Sequence, residues 1–219
     1  MRFSLYILMN CLLAGKMKVT ILSVNHPRDH KRQIKIRRRI NMTQNIELVP
    51  FDENKLRAVW ELGFRDAEPE WARWDAPYFQ DYQAYESFED FVSSGVAAFL
   101  LSEGVRCIQV EGQAVGMVSR IWEDRRTRWM EVGIVIYDAN RWNTGVGRKA
   151  LEKWTTDTFA HFPELEHLGL TTWSGNARMM SCTKRLGWQQ EACIRRVRYW
   201  QGTYYDSVKY GVLREEWGK

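Results

Sequence analysis

The chain has 219 residues, 45% of them hydrophobic, with 11 Trp and a formal net charge of +5. That length supports one domain with its own core, no apolar run is long enough to span a bilayer, and four scattered cysteines (Cys11, Cys107, Cys182, Cys193) form neither a CxxC zinc pattern nor a disulfide framework. Residues 1–41 hold ten Lys and Arg against the single acid Asp29, so residues 42–219 carry −4, which argues against a broad nucleic-acid face on the folded part.

The first stretch reads differently from the rest. Phe3 to Ala14 is a short apolar run behind Arg2 with the outline of a signal peptide, but no small-x-small cleavage site follows, and Lys16 and Lys18 come directly after it. His26 to Arg39 is a basic tract, read as a solvated tail in preference to a polyanion-binding arm. Met42 then opens Met-Thr-Gln-Asn-Ile-Glu-Leu-Val-Pro, a natural domain start. The expected division is therefore a basic extension or mis-assigned start over residues 1–41 and one domain over 42–219, in a reducing cytoplasm and outside any membrane.

From Met42 onward the pattern predicts a strand over Ile46 to Val49, closed by Pro50, then a helix capped by Asp52 with Leu56, Val59, Trp60 and Phe64 at helical spacing. Glu68 to Tyr85 is aromatic-rich and broken by two prolines, so no continuous helix is expected there. Such a loop usually packs over a domain edge. Its carboxylates Glu68, Glu70, Asp75 and Asp81 among aromatics also suit a wall that receives an amine. Ser87 caps a short helix through Phe88, Phe91 and Val92. Val105–Val110, Ala114–Trp122 and Trp129–Tyr137 read as an antiparallel meander joined at Glu111-Gly112-Gln113 and at the charged Glu123–Arg128. A helix follows from Gly145 to Phe159, with Val146, Ala150, Trp154 and Thr158 as its core stripe. Leu168–Trp173 reads as a central strand and Ala177–Leu186 as a helix ended by Gly187. Ala192–Trp200 and Tyr204–Leu213 read as a hairpin turning at Gln201-Gly202.

The chemistry-bearing stretch is Trp142-Asn143-Thr144-Gly145-Val146-Gly147, between a strand and a helix N-terminus. A glycine-spaced turn there presents free backbone N–H groups and the positive end of the helix dipole, a cradle for phosphate; a turn serving chain geometry alone fits the same residues. A Walker loop requires GxxxxGK[ST], and Arg148-Lys149-Ala150 does not supply it. Gly145-Val-Gly147-Arg-Lys-Ala150 does match the dinucleotide pattern GxGxx(G/A). Its context does not: the strand ends too early for a tight turn, and the flanking strands form hairpins where βαβ units are required.

The loop resembles the pyrophosphate motif (Q/R)xxGx(G/A) of the GNAT superfamily of N-acetyltransferases, with Trp142 in place of the first Gln or Arg. Trp at that position is similar to the branch of ribosomal-protein N-terminal acetyltransferases of the Rim type. Asn176-Ala-Arg-Met-Met-Ser-Cys-Thr-Lys-Arg-Leu-Gly187-Trp and the closing Tyr205-Asp-Ser-Val-Lys-Tyr-Gly-Val-Leu-Arg-Glu-Glu-Trp217 also resemble segments of that branch. The resemblance covers about Ile46 to Trp217. It implies an α/β (α+β) fold with a mixed, mostly antiparallel central sheet flanked by helices, and direct transfer of an acetyl group from acetyl-CoA to a primary amine. That amine would belong to a protein N-terminus, a polyamine or another small amine. A non-catalytic acyl-CoA-binding regulatory module is the alternative. Monomer and homodimer both stay open, and no metal is implied.

Site residues carried over from the resemblance are Val135, Ile136 and Tyr137 along the pantetheine arm, with a backbone N–H near Val135 as donor to the thioester oxygen. Trp142, Asn143, Thr144, Gly145, Val146, Gly147 and Arg148 surround the pyrophosphate, and Asn176 bonds to the arm or caps its helix. Arg178 and Lys184 would meet the 3′-phosphate or simply be solvated. Glu131, fourteen residues before Gly145, holds the place of a catalytic glutamate in histone-acetylating members, with a structural glutamate as the other reading. Many relatives carry Tyr four residues before the terminating Gly; here Thr183 stands there, leaving Ser181 as the candidate acid and Cys182 as a weaker one.

Overall fold

The computed structural model describes residues 44–78 and 82–218, with the side chain of residue 76 left out; the expectations for 1–41 and for Asp81 lie outside the described residues. Seven strands form one sheet in the order β1-β2-β3-β4-β5-β7-β6. They are β1 (Ile46–Val49), β2 (Val105–Val110), β3 (Gln113–Asp124), β4 (Trp129–Ile136), β5 (His167–Trp173), β6 (Gln189–Trp200) and β7 (Thr203–Leu213). Every pairing is antiparallel except β4 with β5. The mixed, mostly antiparallel sheet expected from the sequence is therefore present.

The helices are α1 (Glu53–Gly63), α2 (Ala72–Asp75), α3 (Phe88–Val92), α4 (Gly95–Leu100), α5 (Val146–His161) and α6 (Ala177–Arg185). Each of α1, α3 and α4 starts on an oxygen cap: Asp52, Ser87 and Ser94 accept from the backbone N–H three residues on, satisfying one of the donors that a helix start leaves open. Helix α4 has no counterpart in the sequence reading. It is short and opens on glycine, so its Ser94 cap gave little periodic signal behind it.

The sheet separates two apolar cores. On one face α5 buries Val146, Ala150, Leu151 and Trp154 against Met130, Val132, Leu168 and Tyr210. On the other, α1, α3 and α4 bury Leu56, Val59, Phe91 and Leu100 against Cys107 and Tyr137, and Phe64 and Trp71 join them. Trp154 is 1% exposed, and its indole N–H donates to the Ser119 carbonyl at 2.9 Å, so even its polar atom is satisfied.

One defect in this sheet positions everything functional. Parallel strands β4 and β5 pair only at Met130–Leu168 and Glu131–Gly169. Beyond that point each keeps its outer partner, β4 with β3 to Ile136 and β5 with β7 to Trp173. Both strands thus stay in the sheet while a gap opens between them. The gap leaves one edge of each strand with backbone groups that have no ladder partner.

Candidate active site

The turn after β4 is built from short-range hydrogen bonds. Asp138 accepts from the Asn140 N–H at 2.9 Å and pairs with Arg141 at 3.4 Å, while the Thr144 hydroxyl donates to the Arg141 carbonyl at 2.6 Å. The chain then passes Asn143 at φ +60° and Gly145 at φ +90°. The second value is a left-handed conformation that glycine adopts freely and that costs other residues about 1–2 kcal/mol. Gly145 is the N-cap of α5 and supplies no capping side chain; the first helical bond is Lys149 N–H to the Gly145 carbonyl at 3.1 Å. The N–H groups of Val146, Gly147 and Arg148 are left without an acceptor among the described residues. The first turn of α5 contains no acid, and Arg148 stands beside it. Free donors, a helix dipole and no internal anion make a site for a phosphate-type group.

The turn opens on a cavity of about 420 Å³ lined by Ile134, Val135, Ile136, Trp142, Asn143, Gly145, Gly147, Arg148, Asn176 and Ser181, with Trp71, Trp74 and Asp75 across from them. Its volume lies in the range of small-molecule sites. Its wall takes in Ile134, Val135 and Ile136, beyond the last β4–β5 pair, and the start of α6, which follows β5.

Backbone direction along β4 narrows one expectation. The Tyr137 N–H donates to the Val115 carbonyl of β3 at 2.9 Å. Because successive residues alternate edges, the Val135 N–H also faces β3, opposite Met117. The backbone groups that face the gap are those of Ile134 and Ile136, so the donor placed near Val135 moves by one residue. Ile136 gives its carbonyl to the Trp142 indole N–H at 3.0 Å. The Tyr137 side chain lies outside the cavity wall: it is 5% exposed and packs edge-on against Phe64 and Trp71 in the second core.

At the far wall, Asn176 caps α6 by accepting from the Met179 N–H at 3.0 Å, which fulfils the capping reading while its amide lines the cavity. The fold tolerates the sharp β5–α6 turn because Gly175 lies against the Trp173 ring, where a Cβ would collide. Ser181 is exposed and reaches the cavity. Thr183, in the place of the family's tyrosine, is fully buried, its hydroxyl donating to the Met179 and Met180 carbonyls. Cys182 also lines the cavity, and burial pushes its thiol up to about 11 against the pull of Arg148 and Arg185.

Arg178 lines the cavity and is half-buried. Its guanidinium lies between two indoles, 4.2 Å from the Trp74 ring centre and 4.4 Å from that of Trp142, and its Nη1 is buried with no hydrogen-bond partner among the described residues. Lys184 is exposed and outside the cavity wall. Glu131 is also outside it: its Oε1 accepts from Lys209 Nζ at 2.8 Å and from the Thr171 hydroxyl at 2.9 Å. Sequence reasoning missed Arg141 and Arg185, which join Arg148 in the wall. Each lies within two residues of a residue it did single out, but isolated arginines carry no spacing signal. No group of three or more metal-ligating side chains occurs among the described residues.

The model of the acetyltransferase (GNAT) domain matches residues 45–189. The chain belongs to the GNAT family. The expected fold and enzyme class, an N-acetyltransferase, are thus both met. The GNAT acetyltransferase from Bacillus anthracis superposes at TM-score 0.62 and 16% identity, covering 78% of this chain and 96% of that one. RimL, a ribosomal L7/L12 α-N-protein acetyltransferase in complex with coenzyme A, superposes at TM-score 0.61 and 18% identity, covering 78% and 94%; it gives the Rim-type resemblance its counterpart in the fold. The spermidine/spermine N-acetyltransferase SpeG from Vibrio cholerae, in mutant forms, follows at 0.55 and 16%, covering 78% and 95%. No curated protein sequence matches. In this GNAT domain no helix among the described residues is long and apolar enough to cross a membrane.

Proposed function

We propose that this GNAT domain transfers the acetyl group of acetyl-CoA to a primary amine within a ternary complex. The observation that carries the reading is one cavity wall that joins Ile134, Val135 and Ile136, beyond the last β4–β5 pair, to Gly147 and Arg148 with their free N–H groups at the α5 N-terminus. An extended pantetheine arm would pair with the Ile134 and Ile136 backbone as an added strand does. Its diphosphate would meet the α5 N-terminus with Arg141, Arg148 and Arg185 nearby, and the Asn176 amide would face the arm. When bound, acetyl-CoA supplies the activated acyl group; the protein holds it, orients it and handles protons. The gap-facing N–H of Ile134 is the donor we assign to the thioester oxygen.

The proton-handling residues differ in how free they are. Ser181 reaches the cavity and forms no hydrogen bond among the described residues, so it is the hydroxyl we assign to the departing thiolate. Glu131 lies outside the cavity wall with its Oε1 engaged by Lys209 and Thr171, so it is not placed to take the proton directly.

Acetyl-CoA titrated into the protein by calorimetry, followed by thiol release with spermidine, benzylamine and a Ser-initiated hexapeptide, tests the reading. Saturable binding and amine-dependent release support it. Binding with no turnover of any amine would favour the regulatory module instead.

A further inference from the structure

Asp75 ends α2 and lines the cavity with Trp71 and Trp74 of the same segment. Three contacts fix this loop: the Trp71 indole donates to the Gly63 carbonyl at 2.7 Å, the Trp173 indole donates to the Trp74 carbonyl at 2.7 Å, and Trp71 packs edge-on against Tyr137. The Asp75 carboxylate has no hydrogen bond or ion pair among the described residues, the residue is half-buried in the cavity wall, and desolvation there pushes it up to about 6. An unpaired carboxylate in such a place is unfavourable for folding alone. Glu68 and Glu70 of the same loop lie outside the wall. Asp75 is the sole acid among the residues that line the cavity.

The remaining charge in that wall is positive. Arg141, Arg148, Arg178 and Arg185 line it with Cys182, and Tyr137 lies behind Asp75, close enough that Asp75 helps raise its phenol above the usual range. No ion pair joins Asp75 to any of the arginines, and Arg178 is held between Trp74 and Trp142 instead. Among the groups that line this cavity, Asp75 alone offers an entering ammonium a negative partner. Cys182 and Tyr137 are pushed upward, whereas Asp75 is raised to about 6, so Asp75 changes charge between pH 5 and 8.

We propose that Asp75 binds the acceptor ammonium and removes its proton, a role that deepens the acetyl-transfer reading and rests on it. The carboxylate takes one proton from R–NH3+ and passes it to solvent. The freed nitrogen lone pair forms the N–C bond to the acetyl carbon, the C–S bond breaks, and sulfur leaves with the electron pair. The second nitrogen proton goes to sulfur. R–NH3+ and acetyl-CoA thus give the acetamide, CoA-SH and one proton released.

The test compares wild type with Asp75→Asn and Asp75→Glu, using acetyl-CoA calorimetry and pH profiles of kcat/KM for spermidine, benzylamine and the hexapeptide. Expected are an acetyl-CoA Kd within about twofold in all three proteins, a loss of about 100-fold or more in kcat/KM for Asp75→Asn at pH 7, and disappearance of the acidic limb near pH 6, with partial return in Asp75→Glu. Retained acetyl-CoA binding shows that each variant folds. Turnover by Asp75→Asn within about threefold of wild type, with its acidic limb intact, overturns the role of Asp75 and leaves acetyl transfer standing. A wild type that binds acetyl-CoA but acetylates none of the amines counts against both.

Discussion

The indole N–H of Trp142 donates to the Ile136 carbonyl at 3.0 Å, tying the first residue of the glycine turn back to the last residue of β4. That bond closes the open edge of β4 at its end and sets where the turn begins. It also gives Trp142 a reason to be Trp: Gln or Arg at this position would offer a donor without the ring that meets Arg178.

Trp142→Phe keeps a ring against Arg178 and removes the donor. A hydrogen bond of this type contributes about 1 kcal/mol, so the Kd for acetyl-CoA should rise about fivefold with little change in the melting temperature. Calorimetry at fixed salt checks this; an unchanged Kd would remove the bond from the binding site.

Gly145→Ala and Gly145→Asp separate strain from charge. A Cβ at this position meets nothing within 4 Å, so Ala loses stability only through φ +90°, about 1–2 kcal/mol. Asp adds a carboxylate beside free N–H groups and in front of the proposed diphosphate, so its Kd for acetyl-CoA should exceed that of the Ala variant by about 100-fold. Equal affinities in the two variants would contradict the diphosphate assignment.

Asp75→Asn should stabilise the fold in a pH-dependent way. The carboxyl ionises at about 6 when folded, against 3.8 as the ordinary value. Between those values the folded state binds more protons than the unfolded one, so stability falls as pH rises through this window, and the full penalty is present above it. Asparagine removes that penalty. The gain is expected to be about 1–2 kcal/mol at about pH 7.5, reduced for the partial opening to the cavity, and to vanish near about pH 3.5. Denaturant melts at both pH values measure it; a pH-independent difference would mean that the charge is not its origin.

Lys209→Met leaves the Glu131 carboxylate, whose side chain is 15% exposed, without its cation. The expected loss is about 1–2 kcal/mol, with Glu131→Gln in the same chain restoring most of it. Glu131→Gln alone should keep turnover within about threefold, since Lys209 and Thr171 hold its Oε1 outside the cavity. A steep loss of turnover at low pH in that variant would return Glu131 to the part of direct base.

These expectations also mark what the sequence carried. Gly145 was legible because its φ of +90° makes a demand on backbone geometry that glycine meets best, whereas Gly147 is helical and marked the turn only by its spacing from Gly145. Thr183 was legible as a departure, and its burial explains why a hydroxyl there does not reach the cavity. The identity of the gap-facing residue was not legible: strand alternation groups Glu131, Gly133 and Val135 on one face, but which N–H points at which neighbour depends on the β3–β4 register. The acids of the aromatic loop were read as a set, and only the path of the chain through α2 separates Asp75 from Glu68 and Glu70. Tyr137 looked like a continuation of β4, yet the strand ends at Ile136 and the next side chain falls into the opposite core.

The cation held between Trp74 and Trp142 joins two walls that belong to distant parts of the chain. One ring comes from the loop that bears Asp75, the other from the turn at the start of α5. Any ligand that settles one ring against Arg178 therefore biases the other, and free-energy linkage makes the influence mutual: whatever the nucleotide side does for the amine side, the amine side does equally for it. Two perpendicular indoles sharing one guanidinium in this way couple the two half-sites thermodynamically.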